Sequence, residues 1–243
     1  MSEKKIELHV HTKFSNDSLL LENFLLLMCK IKRIDIIVIT DHNTIVGAHK
    51  IKDKFRKHNI GVIVGEEIFS RDGEIIGLFL NEKIDAGLSA DETINQIKKQ
   101  NGIVYIPHPY DKKRIKSVLR YEKIIKLQDK IDLVEYYNGR SILKEDVNKQ
   151  QELANKINKI SVVGSDAHTF FEIGRNYMYI EDFNIENKDD FLEKIARAKG
   201  NTSNCITLAH FVTKIEKIVK KIIKGDFYGI YRIIVRKFKK DNK

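Results

Sequence analysis

Residues 160–168 read ISVVGSDAH. A β-branched apolar run stops at Gly164, and a carboxylate and an imidazole follow one residue apart, at Asp166 and His168. In extended backbone, residues i and i+2 point to the same face, so these two side chains converge on one point. A metal ion at that point is one reading; an ordinary loop is the other. The choice rests on whether the rest of the chain repeats the pattern.

It does. KKIELHV (4–10) delivers His9 and, one step on, His11; IDIIVIT (34–40) delivers Asp41 and His42; IGVIVG (60–65) delivers Glu66 and Glu67. GIVYIP (102–107) is followed by His108 between the chain's two prolines, and IDLVE (131–135) ends in Glu135. IDIIVIT and IGVIVG are rich in Ile and Val and nearly continuously apolar, as in strands covered on both faces. Helical stretches separate most of them. SLLLENFLLLMCKIKR (18–33) carries basic residues at its end. SADETINQIKKQ (89–100) opens with Ser89 and Glu92 at capping-box spacing. GAHKIKDKFRKH (47–58) and ILKEDVNKQQELANKIN (142–158) are polar helices, and FNIENKDDFLEKIARAKG (183–200) is a further one stopped by Gly200. IFSRDGEIIGLFL (68–80) reads as a hairpin turning at Asp72-Gly73. Alternation of this kind predicts an α/β fold with a parallel sheet, open or closed into a barrel. In such folds the C-terminal edge of the strands is where sites are built.

Taken singly, each of these polar residues is more readily a loop or turn residue than a ligand. Their joint placement carries the argument: five of the eight histidines (His9, His11, His42, His108 and His168) lie at strand ends, while His49, His58 and His210 fall in helical stretches and are expected to face solvent.

The ordered motifs ELHVHTKFSNDS (7–18), ITDHNT (39–44), VGEEI (64–68), IPHP (106–109) and VVGSDAH (162–168) resemble those of the PHP (polymerase and histidinol phosphatase) family of metal-dependent phosphoesterases, in register across residues 6–175. The resemblance implies a distorted (β/α)7 barrel with metals at the C-terminal edge of its strands. It implies that His9, His11, Glu67 and Asp166 ligate one metal, Asp17, His42 and His168 another, and His108 a remaining one. Glu67 rather than Glu66 fits the family's Gly-x-Glu pattern. Many members carry a histidine in the strand after the hairpin turn; here that place is read as Ile76, so two metals are expected and a third is in question. Imidazole and carboxylate ligands without thiolate suit Zn, Mn or Fe. Paired metals about 3.5–4 Å apart clamp the attacking and leaving oxygens of phosphoryl transfer and acidify bound water to a pKa of about 7. Asp41 is read either as a helix N-cap or as a carboxylate that orients a ligand histidine from behind. Arg140 and Arg175 are the first candidates to hold a phosphate, ahead of Arg114 and Lys112. Tyr110, Tyr136 and Tyr137 are read as wall or core residues before base-stacking ones.

The bulk numbers set bounds. At 243 residues with 42% apolar content, the chain can bury a full core. Cys29 and Cys205, the only cysteines, lie in no paired spacing, which argues against a disulfide framework or a thiolate site. No apolar run is long enough for a bilayer, and MSEKKIELHVH has no signal-type stretch, so a cytoplasmic protein is expected. The net charge of +10 is concentrated at one end. From Ile206 onward eleven Lys and Arg stand against three acids, a net of +8, leaving about +2 for everything before. A PHP-type domain over 1–200 and a basic amphipathic extension over 201–243 are therefore expected. In FVTKIEKIVKKII (211–223) the apolar residues repeat at helical spacing with lysines between. The first expectation is that this stripe docks on the body; nucleic-acid binding ranks second and an anionic membrane surface third.

The expected activity is metal-dependent hydrolysis of a phosphomonoester or nucleotide phosphate. The alternatives are a nuclease acting on short RNA or DNA and, in a different class, a metal-dependent binding module without turnover.

Overall fold

The computed structural model describes residues 3–114 and 117–228. Seven strands close into a barrel: β1 (Glu3–Val10), β2 (Ile36–Ile39), β3 (Gly61–Ser70), β4 (Gly73–Leu78), β5 (Ile103–Ile106), β6 (Leu133–Asn138) and β7 (Ile160–Ala167). Closure comes from β1, which pairs in parallel with both β2 and β7. Strand β4 alone runs against its neighbours, because the Asp72-Gly73 turn folds it back on β3. Helices α1 (Glu22–Lys32), α2 (Val46–Arg56), α3 (Ala90–Lys99), α4 (Tyr121–Leu127) and α5 (Lys144–Ile157) occupy the crossovers. The Ser89–Glu92 capping box of α3 forms as read.

The continuous apolar runs are explained by two cores. Along β2, Ile36 and Val38 fill the barrel with Ile6, Leu8, Ile63 and Leu133, while Ile37 and Ile39 pack outward under the helices with Leu25, Ile51 and Phe55. Both faces of a barrel strand are buried, so period-2 alternation vanishes.

Four features depart from the sequence reading. A strand read in neither the alternation nor the motifs, β8 (Tyr177–Glu181), pairs antiparallel with the first half of β1. The helix expected over 183–200 is shorter, α6 (Lys188–Ile195), and Gly200 does not stop it. Gly200 lies in β9 (Lys199–Asn201), opposite Met178 of β8. His210 is half-buried rather than solvated: its ring contacts the Arg140 carbonyl at 3.1 Å and Cys205 Sγ at 3.2 Å.

The fourth departure concerns α7 (Thr207–Ile223). Its apolar stripe docks on the body only in part: Val212, Ile218 and Val219 are half-buried, while most of the stripe stays exposed. Ala209, its one fully buried residue, lies on a face shared with Thr213 and Lys220. Thr213 accepts a hydrogen bond from Arg140 at 2.7 Å, and the Lys220 ammonium donates to the carbonyls of Lys13 (2.6 Å) and Ser15. Phe211 and Ile215 stay exposed on the other side. The closing run IYRIIVRKFKK (230–240) lies outside the described residues.

One buried acid sits outside the strand-end cluster. Glu7, on the outer face of β1, accepts from Gly174 N at 2.7 Å through one oxygen and has no partner for the other. Burial, outweighing that hydrogen bond, pushes its carboxyl from 4.5 up to about 8. A raised acid keeps its proton in the fold while the unfolded chain ionises, so stability falls as pH rises through that window, by about 1.4 kcal/mol per unit. Glu7→Gln removes the penalty. Thermal melts of the two proteins are expected to coincide near the low end of the window and to separate progressively toward pH 8, with the variant the more stable. A gap that does not change with pH would contradict this account of Glu7.

Candidate metal centre

The strand ends converge. Glu67 is the hub: its Oε2 lies 3.4 Å from His9 Nε2, 3.2 Å from His11 Nε2 and 3.2 Å from His42 Nδ1, and its Oε1 lies 3.0 Å from His108 Nε2. Asp166 Oδ1 lies 3.6 Å from His9 Nε2 and 3.5 Å from His11 Nε2. Asp17 stands between two further imidazoles, 3.4 Å from Nε2 of His42 and 3.4 Å from Nε2 of His168. His11 and His168 stack with their ring centroids 4.1 Å apart, joining the two lobes. All eight residues are buried. Four overlapping sets, His9–His11–Glu67, His9–His108–Asp166, His11–Asp17–His42–His168 and His42–Glu67–Glu74, each present ligand atoms within 4.8 Å of one another.

Backbone irregularity aims these side chains. On β1, Ile6 and Leu8 face the barrel interior, so strict alternation would turn His9 and His11 outward. A bulge between Glu7 and Val10, with His9 at φ 65°, reverses the phase: Val10 packs outward and both imidazoles face in. His108 (φ 31°) and Asp166 (φ 53°) also adopt left-handed backbone, which non-glycine residues take up at a cost where a site demands it. On β3 alternation is regular. Glu67 faces in with Ile63, and Glu66 faces out to accept Ile84 N at 2.8 Å.

Glu135, a strand-end acid to which the sequence assigned no role, anchors the centre. Its Oε1 accepts from His9 Nδ1 at 2.7 Å and from the Tyr105 hydroxyl; its Oε2 accepts from His108 N at 2.6 Å and Asn138 Nδ2 at 2.8 Å. Donating Nδ1–H to Glu135 leaves the lone pair of His9 on Nε2, which points at Glu67 and Asp166. Gly164 makes room for this: a Cβ there would stand 1.8 Å from Glu135 Oε1. The glycine that ends the apolar run is thus a space requirement of the carboxylate behind His9.

Glu74 was missed altogether, and the reading of a lost ligand at Ile76 is corrected. Because β4 is antiparallel, its beginning lies at the site's edge. Ile76 is one layer deeper, in the apolar interior with Leu78, whereas Glu74, two residues earlier on the same face, reaches His108 Nε2 at 3.3 Å. Asp41 caps no helix, since α2 begins after Ile45, and contacts no imidazole. It accepts from the Thr12 backbone N–H at 2.5 Å and hydroxyl at 2.7 Å, tying down the loop that leaves His11. Burial raises its carboxyl to about 6 against those bonds.

Beside Asp17 and His168 opens a cavity of about 600 Å³. Lys113, Arg114 and Arg140 line it from the body, and Thr213, Lys214 and Lys217 line it from α7. Arg140 is held between Glu172 (3.1 Å) and Thr213. Arg114, ranked behind it in sequence, pairs directly with Asp166 and with Asp111 at 3.3 Å. Arg175 does not reach the cavity; its guanidinium donates to the Asn204 carbonyl at 3.2 Å. Lys112 pairs with Glu145 at 2.9 Å on the surface. Of the tyrosines, Tyr110 stacks on Tyr121, and the Tyr137 hydroxyl donates to Ser203 O.

The electrostatics suit cations. Burial opposes the charge on Glu67, yet the facing imidazoles hold it well below the carboxylate range. Asp166 is likewise held low against burial by Arg114 and His9, and Asp17 by His168 and His42. Glu74 is raised, first by burial and then by the charge of Glu67. Six atoms of the cluster have no hydrogen-bond partner: His9 Nε2, His11 Nε2, His42 Nδ1, Glu67 Oε2, Glu74 Oε2 and Asp166 Oδ1. Buried polar atoms are ordinarily satisfied, and a cluster of lone-pair donors left open around one space fits divalent cations.

Comparison with known proteins agrees. Residues 145–199 match the PHP-associated family. The uncharacterized protein MJ0417 of Methanocaldococcus jannaschii is 35% identical over 192 residues, covering 78% of this chain and 76% of its own. The fold is shared with a two-domain protein of Bacteroides vulgatus containing a predicted PHP-like metal-dependent phosphoesterase (TM-score 0.66, 16% identity, 83% of this chain); this chain spans 65% of that one. It is shared too with PsfC of Pseudomonas syringae (TM-score 0.64, 13% identity), over 92% of this chain and 100% of the other. A (β/α)7 barrel with a histidine- and carboxylate-lined edge defines the class, and the chain belongs to the PHP family. Among the described residues no helix is long and apolar enough to cross a membrane.

Glu135→Gln places an amide N–H₂ among four donors and loosens His9. Metal affinity, read by competition with a chromogenic chelator, is expected to fall about 10- to 100-fold with the fold retained. Unchanged affinity would remove Glu135 from the centre.

Proposed function

We propose that the chain is a metal-dependent hydrolase of phosphate esters, acting on a phosphomonoester or nucleotide phosphate with water as the nucleophile. The observation that carries this reading is the gathering of imidazole and carboxylate ligand atoms, in sets within 4.8 Å of one another, at the barrel's edge, six of them buried without a hydrogen-bond partner. His9, His11, Glu67 and Asp166 would hold one cation and Asp17, His42 and His168 a second, with His108 and Glu74 available to a third. Divalent cations bound there supply Lewis-acid polarisation of the phosphoryl oxygens and acidification of water.

The chain's own groups provide the rest. Glu135 holds His9 in one tautomer. The His168 Nδ1–H donates to the Asp166 carbonyl at 2.8 Å, which turns its Nε2 toward Asp17. Arg140 and Arg114, which line the cavity beside Asp17, would take the non-reacting phosphate oxygens. Ligand type does not choose among Zn, Mn and Fe.

A second reading, cleavage of nucleotides from short RNA or DNA, is favoured by one observation. Lys113, Lys214 and Lys217 extend the cationic lining beyond what a single phosphate needs.

The test joins metal analysis of the purified protein to a hydrolysis screen of mononucleotides, sugar phosphates and short RNA. His11→Ala and Asp166→Ala are expected to lose about 10³-fold or more of the rate, the equivalent of several kcal/mol of transition-state stabilisation. Persistent turnover in both variants, or after chelation, would refute the site. Stoichiometric metal with no turnover of any ester would instead leave a binding module.

A further inference from the structure

We propose that α1 and α7 together form a docking surface for an anionic lipid bilayer, a role independent of the catalytic reading above. Because α7 docks through its polar face, most of its apolar stripe points outward: Phe211, Ile215 and Ile222 are 60%, 46% and 53% exposed. Helix α1 carries a second outward stripe at helical spacing, with Phe24, Leu27 and Ile31 at 54%, 50% and 60%. The stripes are not separate. A groove lined by Leu21, Phe24, Phe170 and Val212 runs between the two helices, and the Phe24 and Phe170 rings lie 6.4 Å apart. One apolar surface therefore spans two elements. Contiguous exposed apolar surface on this scale marks an interaction site.

Charge selects the occupant. Exposed Lys214 borders the stripe on α7, and Lys30, Lys32 and Arg33 follow that of α1. Of the acids near it, Glu22 pairs with Lys13 at 2.7 Å, and Glu216 is half-buried in the groove with one carboxylate oxygen lacking a hydrogen-bond partner. From Lys224 onward the sequence adds seven bases against two acids. Pairing this face with a second copy would set these cations against their own copies, with only the already paired Glu22 and the half-buried Glu216 to offset them. A bilayer bearing phosphate headgroups offers the complement: acyl chains for the aromatic and aliphatic stripe, and anions for the flanking lysines.

The experiment is co-sedimentation of the full chain with vesicles of phosphatidylcholine alone or mixed with phosphatidylglycerol, alongside sedimentation velocity without lipid. Binding to the mixed vesicles, weakened by salt, is expected. The charge-neutral double variants Phe211→Ser/Ile215→Ser and Phe24→Ser/Leu27→Ser should each lower it by about tenfold or more, with thermal melting still cooperative and phosphoester hydrolysis unchanged. Three results would each overturn the proposal: protein that stays in the supernatant with both vesicle types, binding that ignores both double variants, and a lipid-indifferent dimer dispersed by the same substitutions.

Discussion

Glu67 is fully buried with four imidazoles around it, and the edge of the barrel is arranged to keep its charge there. A carboxylate in so dry a place would ordinarily neutralise itself by taking up a proton. Here the imidazoles keep it ionised, and Asp17 and Asp166 are held in the same way by imidazoles and Arg114. Glu74 marks the limit of that arrangement. With Glu67 already charged beside it, its carboxyl is raised. Bound cations would relieve the crowding of acids that the protein's own groups only partly balance.

Holding the cluster in place takes backbone that strands do not normally adopt. The bulge at His9 and the left-handed turns at His108 and Asp166 each cost on the order of 1–3 kcal/mol. They persist because their surroundings over-determine them. Glu135 alone fixes His9 through its ring and His108 through its backbone, and the Ser165 hydroxyl spans from β7 to the carbonyls of Leu8 and His9 at 3.0 Å. Strain at the ligands is met by hydrogen bonds just behind them, and the two apolar cores beneath set the strands that carry both.

What the sequence made legible follows from which physics is local. Strand-end chemistry is local: His9, His11, His42, His108 and His168 could be picked out because each follows an apolar run directly. The direction of β4 is local too, since Asp72-Gly73 makes a hairpin. The consequence of that direction was not carried through, and the ligand position was sought at Ile76 when an antiparallel strand places it at Glu74. Other features depend on distant partners. Glu135 reads as one more strand-end acid until Gly164, 29 residues later, is seen to leave it space. Arg114 outranks Arg175 only because the chain brings it to Asp166. The bulge at His9 has no sequence signature, as the residue in left-handed backbone is not a glycine.

The tail shows the sharpest divide between pattern and placement. Periodicity establishes that α7 has an apolar side but not which surface receives it. Leaving a side chain such as Phe211 or Ile215 in water forfeits about 1.5–3 kcal/mol relative to burial. Polar contacts of Lys220 with two loop carbonyls, and of Thr213 with Arg140, hold the helix in the less obvious orientation. Those partners belong to the loop after His11 and to the cation-lined cavity, so the helix is seated by the same structure that shapes the centre. A helix seated by its polar side leaves most of its apolar side exposed, here Phe211, Ile215 and Ile222. In a chain whose excess charge is concentrated in this segment, the apolar stripe and the lysines beside it form one surface rather than a core contact and a solvated face.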